Sequence, residues 1–357
     1  MTRMTADAWR ALTTDIFKAM GLSTRDATWM GTCLTRADAM GRASHGLMRI
    51  PQYYGATLTG EVSLKTEPIV TRVAPATALI DAQLNFGQPV ARDGMELAIE
   101  LAREHGIGNV GIYNCTHTGR VGDYPEMAAG SGMVGLAFVN GRRGGVVAPW
   151  GGQEGRLAPN TFAFACPGGG AAPISVDFSA AAMPEGRVRM LHMLGGQTPP
   201  DTLIDSAGRT TTDPQVLYDD PLGAILAFGG PSGGHKGFGL LLTIDILAGI
   251  LARAGNPKPD LPGNGVLLLA IDISKFMPID KFSEDMQELT ERLLSSKPLS
   301  KDVPVVMPGA QSQRAVKHAE QNGITVDDTI WKQIIITAQK LGIDANSYGG
   351  ISRPSGG

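Results

Sequence analysis

The hexapeptide Gly106-Ile107-Gly108-Asn109-Val110-Gly111 is a literal Gly-x-Gly-x-x-Gly, and its context constrains the fold more than its letters do. A dinucleotide fingerprint leaves a strand and opens a helix, so that the helix N-terminus meets the pyrophosphate. Here a helical pattern over 89–104 precedes the glycines and a strand-like 110–113 follows them. The order is reversed, which disfavours a Rossmann site at this position.

The remaining pattern is helical at both ends and glycine-rich between. Helices are expected over 6–20, from the N-cap Ser23 to about residue 40, and over 51–58. In the second, Trp29, Cys33, Leu34 and Ala37 recur at helical spacing and Gly41 ends the element. The β-branched run 69–71 and the run 78–80 flank a turn at 74–76 and begin a sheet. Further strands are expected over 133–139, 162–165, 174–178 and 265–273, with a hairpin over 203–213. Helices return over 283–294, 313–321 and 327–341. Residues 1–65 and 281–357 therefore read as one helical layer beside a glycine-rich α/β region, 66–280.

The 47 glycines cluster between 140 and 240, mixed with apolar runs, as tight turns of a packed region rather than a linker. A net charge of -3, with no basic run interleaved with aromatics, argues against nucleic acid and for a small-molecule partner. Three cysteines at unpaired spacing suggest neither a disulfide framework nor a zinc site. The first 18 residues lack the pattern of a secretory signal, and the apolar stretch 238–251 contains Asp245 and falls short of the roughly 20 residues a bilayer needs. A cytoplasmic protein without a membrane partner is expected.

Four stretches carry chemistry. Ser44-His45-Gly46 with Arg49 places a ring that exchanges a proton near neutral pH beside a guanidinium that can grip a carboxylate. Thr116-His117-Thr118-Gly119-Arg120 follows a strand, where open α/β sheets place ligand contacts. Asp177 ends another strand. The segment 229–239, with His235, Lys236 and Gly237, reads as strand, glycine loop, helix, a context for phosphate; it is no Walker A loop, lacking a serine or threonine after the lysine. The first two have bland alternatives: His45 bonded to a helix-end carbonyl, Arg49 solvated, His117 capping a turn.

Their order is more specific than any one of them. Ser44-His45-Gly46 with Arg49, Thr116-His117 with Gly119 and Gly122, Ala148-Pro149-Trp150-Gly151-Gly152, Asn160, Val176-Asp177-Phe178, Thr211-Thr212-Asp213-Pro214, Lys236-Gly237-Phe238-Gly239-Leu240 and Pro308-Gly309 together resemble the malate/L-lactate dehydrogenase type 2 family over nearly the whole chain. The resemblance implies a non-Rossmann, mixed-sheet nicotinamide-binding α/β fold with a helical domain built from both chain ends, a homodimer, and NAD or NADP as cofactor. It implies hydride transfer to or from C2 of a small 2-oxo or 2-hydroxy acid, or of a cyclic imino acid. His45 would donate the proton, while Ser44, Arg49 and His117 would bind substrate. His117 would polarise its carbonyl, and Asp177 would orient His45 or the nicotinamide amide. Asp177, Phe178, Ser179, Ala180, Ala181, Ala182 and Met183 would line the nicotinamide side. Asn160, His235, Lys236 and Gly237 would contact the cofactor, with Gly309, Ala310 and Gln311 closing over it. Ala310 stands where the family often has glutamate, which leaves room for a cofactor-binding protein without dehydrogenase activity. No metal is expected, since the six histidines never fall at close spacing.

Overall fold

The computed structural model describes residues 1–141, 144–256 and 263–349; Arg142 and Arg143 of the glycine-rich loop, 257–262 and 350–357 lie outside the described residues. In chain order the elements are β1 (Thr2–Met4), α1 (Ala6–Ala19), α2 (Thr24–Ala39), α3 (Ile50–Thr59), β2 (Ile69–Ala74), β3 (Thr77–Asp81), α4 (Gly87–His105), β4 (Ile107–Cys115), α5 (Asp123–Gly130), β5 (Met133–Gly141), β6 (Thr161–Gly168) and β7 (Ala171–Ser179). Then come α6 (Glu185–Met193), β8 (Leu203–Ile204), β9 (Thr210–Thr211), β10 (Ala224–Ile225), α7 (Gly230–Ile244), β11 (Asn264–Asp272), α8 (Ile279–Leu294), α9 (Ala310–Asn322), β12 (Ile324–Val326) and α10 (Asp328–Lys340).

The central sheet has the order β2-β3-β4-β11-β5-β6-β7. Only β3 and β4 pair in parallel, and α4 is the crossover between them. The glycines of the hexapeptide serve this crossover. Gly106 ends α4 in the left-handed region at φ 84°. Gly108 lets β4 approach the helix, because a Cβ there would lie 2.0 Å from the Ala98 carbonyl oxygen. Side chains of α4, including Met95, Ala98 and Ala102, pack on Ile80, Val110, Ile112 and Leu268 of the sheet to form one core.

A second core joins the two ends of the chain. β1 pairs antiparallel with β12, a pairing too short to show in the sequence pattern. Trp9 of α1 meets Trp331 of α10 edge-on at 5.4 Å and donates its indole N–H to the Ile324 carbonyl at 3.0 Å. Leu12, Ile16, Phe17, Met30 and Leu34 complete this layer. Ser23 caps α2 as expected, accepting from the Asp26 amide at 3.2 Å. α8 lies elsewhere, against β6 and the short helix after β11.

The segment 229–239 differs from its expectation. Gly229, at φ 107°, is the N-cap, and Gly230 already begins α7, so the glycine loop is helix and Lys236 stands on its exposed side. The glycines are there for packing: a Cβ on Gly237 would lie 2.2 Å from the Phe228 carbonyl oxygen, and one on Gly234 would meet the Trp150 ring at 2.4 Å. α7 runs on into a π-helical turn, Asp245–Leu251. The helix of 20 residues from Ser232 to Leu251 is thus long and apolar enough to cross a membrane by length and composition. Its inner face nevertheless belongs to a third core through Leu241, Ile244 and Ala248. Asp245 on the same face is held by Asn160 at 2.8 Å and Asn140 at 3.5 Å, as a core helix requires.

Substituting Gly108→Ala should therefore cost stability, by about 1–3 kcal/mol as for overpacking generally, while leaving unchanged any affinity of the folded protein for a dinucleotide, the ligand such a hexapeptide would hold. Thermal unfolding beside a fluorescence titration with NADH checks this. Weaker binding at unchanged stability would make the hexapeptide a nucleotide loop after all.

Candidate active site

The site begins where α2 stops. Gly41, at φ 73°, turns the chain so that the Arg42 amide bonds to the Ala37 carbonyl at 2.7 Å, and two short 3-10 turns follow, Ala43–His45 and Leu47–Arg49. Asp38, on the last turn of α2, pins them by accepting from the Leu47 amide at 2.5 Å. A Cβ on Gly46 would lie 2.0 Å from this carboxylate, so a larger residue would have to push it off its bond to the Leu47 amide. Burial raises the Asp38 carboxyl to about 6. Within the turn, Ser44 Oγ and His45 Nδ1 lie 3.0 Å apart. Arg49 Nε donates to the Ser44 carbonyl at 2.6 Å and Nη1 to Gln52 Oε1 at 2.5 Å. No carboxylate pairs with Arg49 among the described residues, so the guanidinium keeps donors free for an anionic ligand.

The second half of the site is the loop after β4. Thr116 Oγ1 accepts from the Gly87 amide at 3.0 Å and donates to the Asn85 carbonyl at 2.9 Å, and the Thr118 amide donates to Asn264 Oδ1 at 3.2 Å. The loop thereby brings the His117 ring beside His45, with centroids 5.5 Å apart and planes inclined by 26°. Tyr53 of α3 reaches His117 Nδ1 at 2.6 Å, and Gln88 of α4 donates to the same phenol at 2.7 Å. Four separate elements converge on two imidazoles.

Electrostatics keep both rings neutral. Burial, then Arg49, Arg42 and Arg120, lower His45 to about 4. Burial, then Arg49 and His45, hold His117 well below the ordinary histidine value. The site is thus cationic around two proton acceptors, an arrangement that favours an anionic ligand.

Asp177 takes a different place from the one expected relative to His45. It accepts from the Gly122 amide at 2.9 Å and faces Arg120 Nε at 3.5 Å, while the bonding partner of His45 Nδ1 is Ser44. Arg120 also binds Asp123 at 2.6 Å and Glu126 at 2.7 Å, and Arg36 joins both carboxylates. Asp177 therefore acts on His45 at most through Arg120.

A cavity of about 600 Å³ opens beside this ion cluster, lined by Met40, Arg42, Asp177, Phe178, Gly309 and Gln313 among others. Its residues fit an anionic nucleotide cofactor. Phe178 presents a partly exposed ring braced edge-on by Phe162 at 5.9 Å and Phe228 at 5.8 Å, and Arg42, which makes no ion pair among the described residues, supplies positive charge, while Arg36 and Arg120 are balanced there by Asp123, Glu126 and Asp177. Gly309, at φ 88°, lets the start of α9 lie on Ser175, where a Cβ would approach within 3.2 Å.

Other expected contacts are not gathered there. Ala180, Ala181 and Met183 are buried in the third core, the Ala182 amide donates to the Leu226 carbonyl at 2.7 Å, and Ser179 Oγ caps the Ala181 amide at 3.2 Å. Asn160 is fully buried, its amide committed to the Leu241 carbonyl and Asp245 and its oxygen to the Gly141 amide. His235, Lys236, Gly237, Ala310 and Gln311 do not line this cavity. Conversely, Asp38, Tyr53 and Gln88 escaped the sequence reading. Each sits inside an ordinary helix with no motif around it, and a polar Gln88 among the apolar positions 89–91 is the only signal.

The model of the malate/L-lactate dehydrogenase family matches residues 4–335 of this chain. The L-sulfolactate dehydrogenase of Methanocaldococcus jannaschii is 31% identical over 95% of this chain and 97% of its own length. The L-lactate dehydrogenase of Cupriavidus necator is 31% identical over 94% and 96%. The solved structure of Δ1-piperideine-2-carboxylate reductase from Pseudomonas syringae superposes with a TM-score of 0.82 at 26% identity, over 95% of this chain and 100% of that one.

Because burial lifts the folded-state value of Asp38 above its unfolded 3.8 to about 6, folding favours the neutral acid. That stability is present at low pH and lost as pH rises from about 4 to 6. Asp38→Asn keeps an acceptor for Leu47 without the charge. It should raise the melting temperature at pH 8 by the equivalent of on the order of 2–3 kcal/mol, with the gain vanishing near pH 4; a pH-independent difference would contradict the assignment.

Proposed function

The chain belongs to the malate/L-lactate dehydrogenase family, and from that premise we propose that it transfers hydride between NAD or NADP and C2 of a small 2-hydroxy or 2-oxo acid. The observation that carries this reading is the pair of neutral imidazoles, 5.5 Å apart, beside a guanidinium with no carboxylate partner among the described residues. Arg49 binds the substrate carboxylate through its free donors. His45 accepts the C2 hydroxyl proton as hydride leaves C2, and the products are the 2-oxo acid and protonated His45. The nicotinamide supplies the hydride acceptor, and Asp177, Phe178 and Gly309 are proposed to hold that end of it. In the reverse direction the bound carboxylate offsets the charge of Arg49 and so raises the proton affinity of His45, although burial, Arg42 and Arg120 still oppose it. A protonated cyclic imine would meet Arg42, Arg49 and Arg120 as repulsive neighbours, which favours the oxo acid over the imine.

The homodimer implied by the family has a candidate face here. Leu242, Ile246, Ile250 and Leu251 are exposed along the outer side of the helix that contains α7. We propose that a second copy covers them, and Ile246→Glu should then shift sedimentation from dimer to monomer; an unchanged profile would move the interface elsewhere. Three free, buried cysteines agree with the cytoplasm.

The kinetic test uses malate, lactate and sulfolactate with both cofactors. kcat/KM for the hydroxy acid should stay level as pH falls through 6.5 and decline only toward about 4, the value of His45 in the free protein. His45→Asn should lower kcat by about 10²–10⁴-fold, and Arg49→Met should raise KM with a smaller effect on kcat. A limiting ionisation near 6.5, or near-normal turnover by His45→Asn, would remove His45 from the role. Cofactor binding without turnover of any acid would leave a binding protein.

A further inference from the structure

His117 makes one hydrogen bond that decides which of its nitrogens carries a proton. Its Nδ1 lies 2.6 Å from the Tyr53 hydroxyl, which itself accepts from Gln88 Nε2 at 2.7 Å. We propose that Tyr53, anchored by Gln88, is a positioning residue that locks His117 as the Nε2–H tautomer, a fixed donor to the C2 oxygen of the substrate, so that His45 alone exchanges protons.

The argument is one of counting donors and acceptors in a closed space. Tyr53 is buried between Phe17 and Phe86, with ring distances of 6.3 and 5.7 Å. Its phenol has one proton to give. If His117 donated from Nδ1 while Gln88 donated from Nε2, the phenol would receive two bonds and its own proton would have no acceptor. With the phenol donating to Nδ1, that proton is used and Nδ1 is the acceptor. The reversed Gln88 amide would permit the other tautomer, but it would strand the whole NH₂ group. The observed orientation leaves only Oε1 without a partner, and a buried carbonyl tolerates that better than a donor does. The Gln88 backbone is fixed as well, its carbonyl accepting from the Trp29 indole at 3.1 Å. Burial pushes the Tyr53 phenol up to about 12, so it retains the proton it donates throughout the neutral range.

The charged and titratable groups facing His117 are His45 and Arg49 from the turn after α2 and Tyr53 from α3. Arg49 opposes a second proton on the ring. The two imidazoles are thereby given different tasks: a neutral donor that steadies charge on the C2 oxygen, and an acid-base group. The tautomer follows from hydrogen bonding alone; its catalytic consequence rests on the hydride-transfer reading above.

The test is the two-bond 1H–15N imidazole spectrum of the full chain, recorded from about pH 5.5 to 8.5, the range in which an ordinary histidine titrates. His117→Gln assigns the signal. Native protein should show His117 as pure Nε2–H without titration. Tyr53→Phe keeps the ring packing and should give mixed tautomers, with kcat lowered about 10- to 100-fold, short of the 10²–10³-fold for removing an oxyanion donor outright, and KM within about twofold. Gln88→Met, which leaves the phenol in place, should give a smaller shift in the same direction. An Nδ1–H signal in native protein, or identical His117 signals in native protein and both variants, would overturn the proposal. Absence of turnover with every acid would instead overturn the hydride-transfer reading, leaving the spectrum to decide the tautomer.

Discussion

The meeting of the 43–49 turn with the 116–119 loop is the contact on which the rest of the site depends. It requires α2 to end sharply at Gly41 and Asp38 to hold the Leu47 amide. It equally requires α4 to begin close enough to the loop that Gly87 has no room for a side chain: a Cβ there would lie 2.5 Å from the His117 carbonyl oxygen. The central sheet and the terminal helical layer meet here. Each contributes one imidazole, and the shared Tyr53–His117 bond joins them.

This assembly has an electrostatic cost that the protein accepts locally. Burial, and after it three guanidiniums, depress the proton affinity of His45, and the fourth nearby, Arg36, is absorbed with Arg120 into a cluster with Asp123, Glu126 and Asp177. Arg49 makes no ion pair among the described residues; it donates to an amide oxygen and a carbonyl, and the Glu185 carboxylate acts on it without an ion-pair contact. A buried cation with unused donors is costly unless an anion completes it. The substrate carboxylate is the natural complement, and its arrival changes the basicity of His45. Binding and proton transfer are thus coupled through the Coulomb field of one side chain.

Local signals in the sequence read truly where a single residue decides the local geometry. Ser23 as a cap, Gly41 as a stop, the reversed context of Gly106, and the strands on either side of the glycine-rich loop all have physical signatures within a few residues. Segment 229–239 misled because glycine has two uses. Spaced along one element, it reads as loop, yet here it allows α7 to pack closely on Phe228 and Trp150. An orienting bond from Asp177 to His45 is not formed because the carboxylate's partner, Arg120, lies on another element, and no spacing reports a contact 57 residues away in sequence. Tyr53 and Gln88 were invisible for the same reason: their roles arise only when α3, α4 and the loop after β4 come together.

The central claim is that this site moves a hydride between a hydroxy acid and a nicotinamide. It is tested most directly by supplying malate or lactate deuterated at C2 together with the oxidised cofactor, and locating the label by NMR. The account predicts deuterium at C4 of the reduced nicotinamide, transferred without dilution by solvent. Reduced cofactor without label, or a bound cofactor that is never reduced by any of these acids, would contradict it.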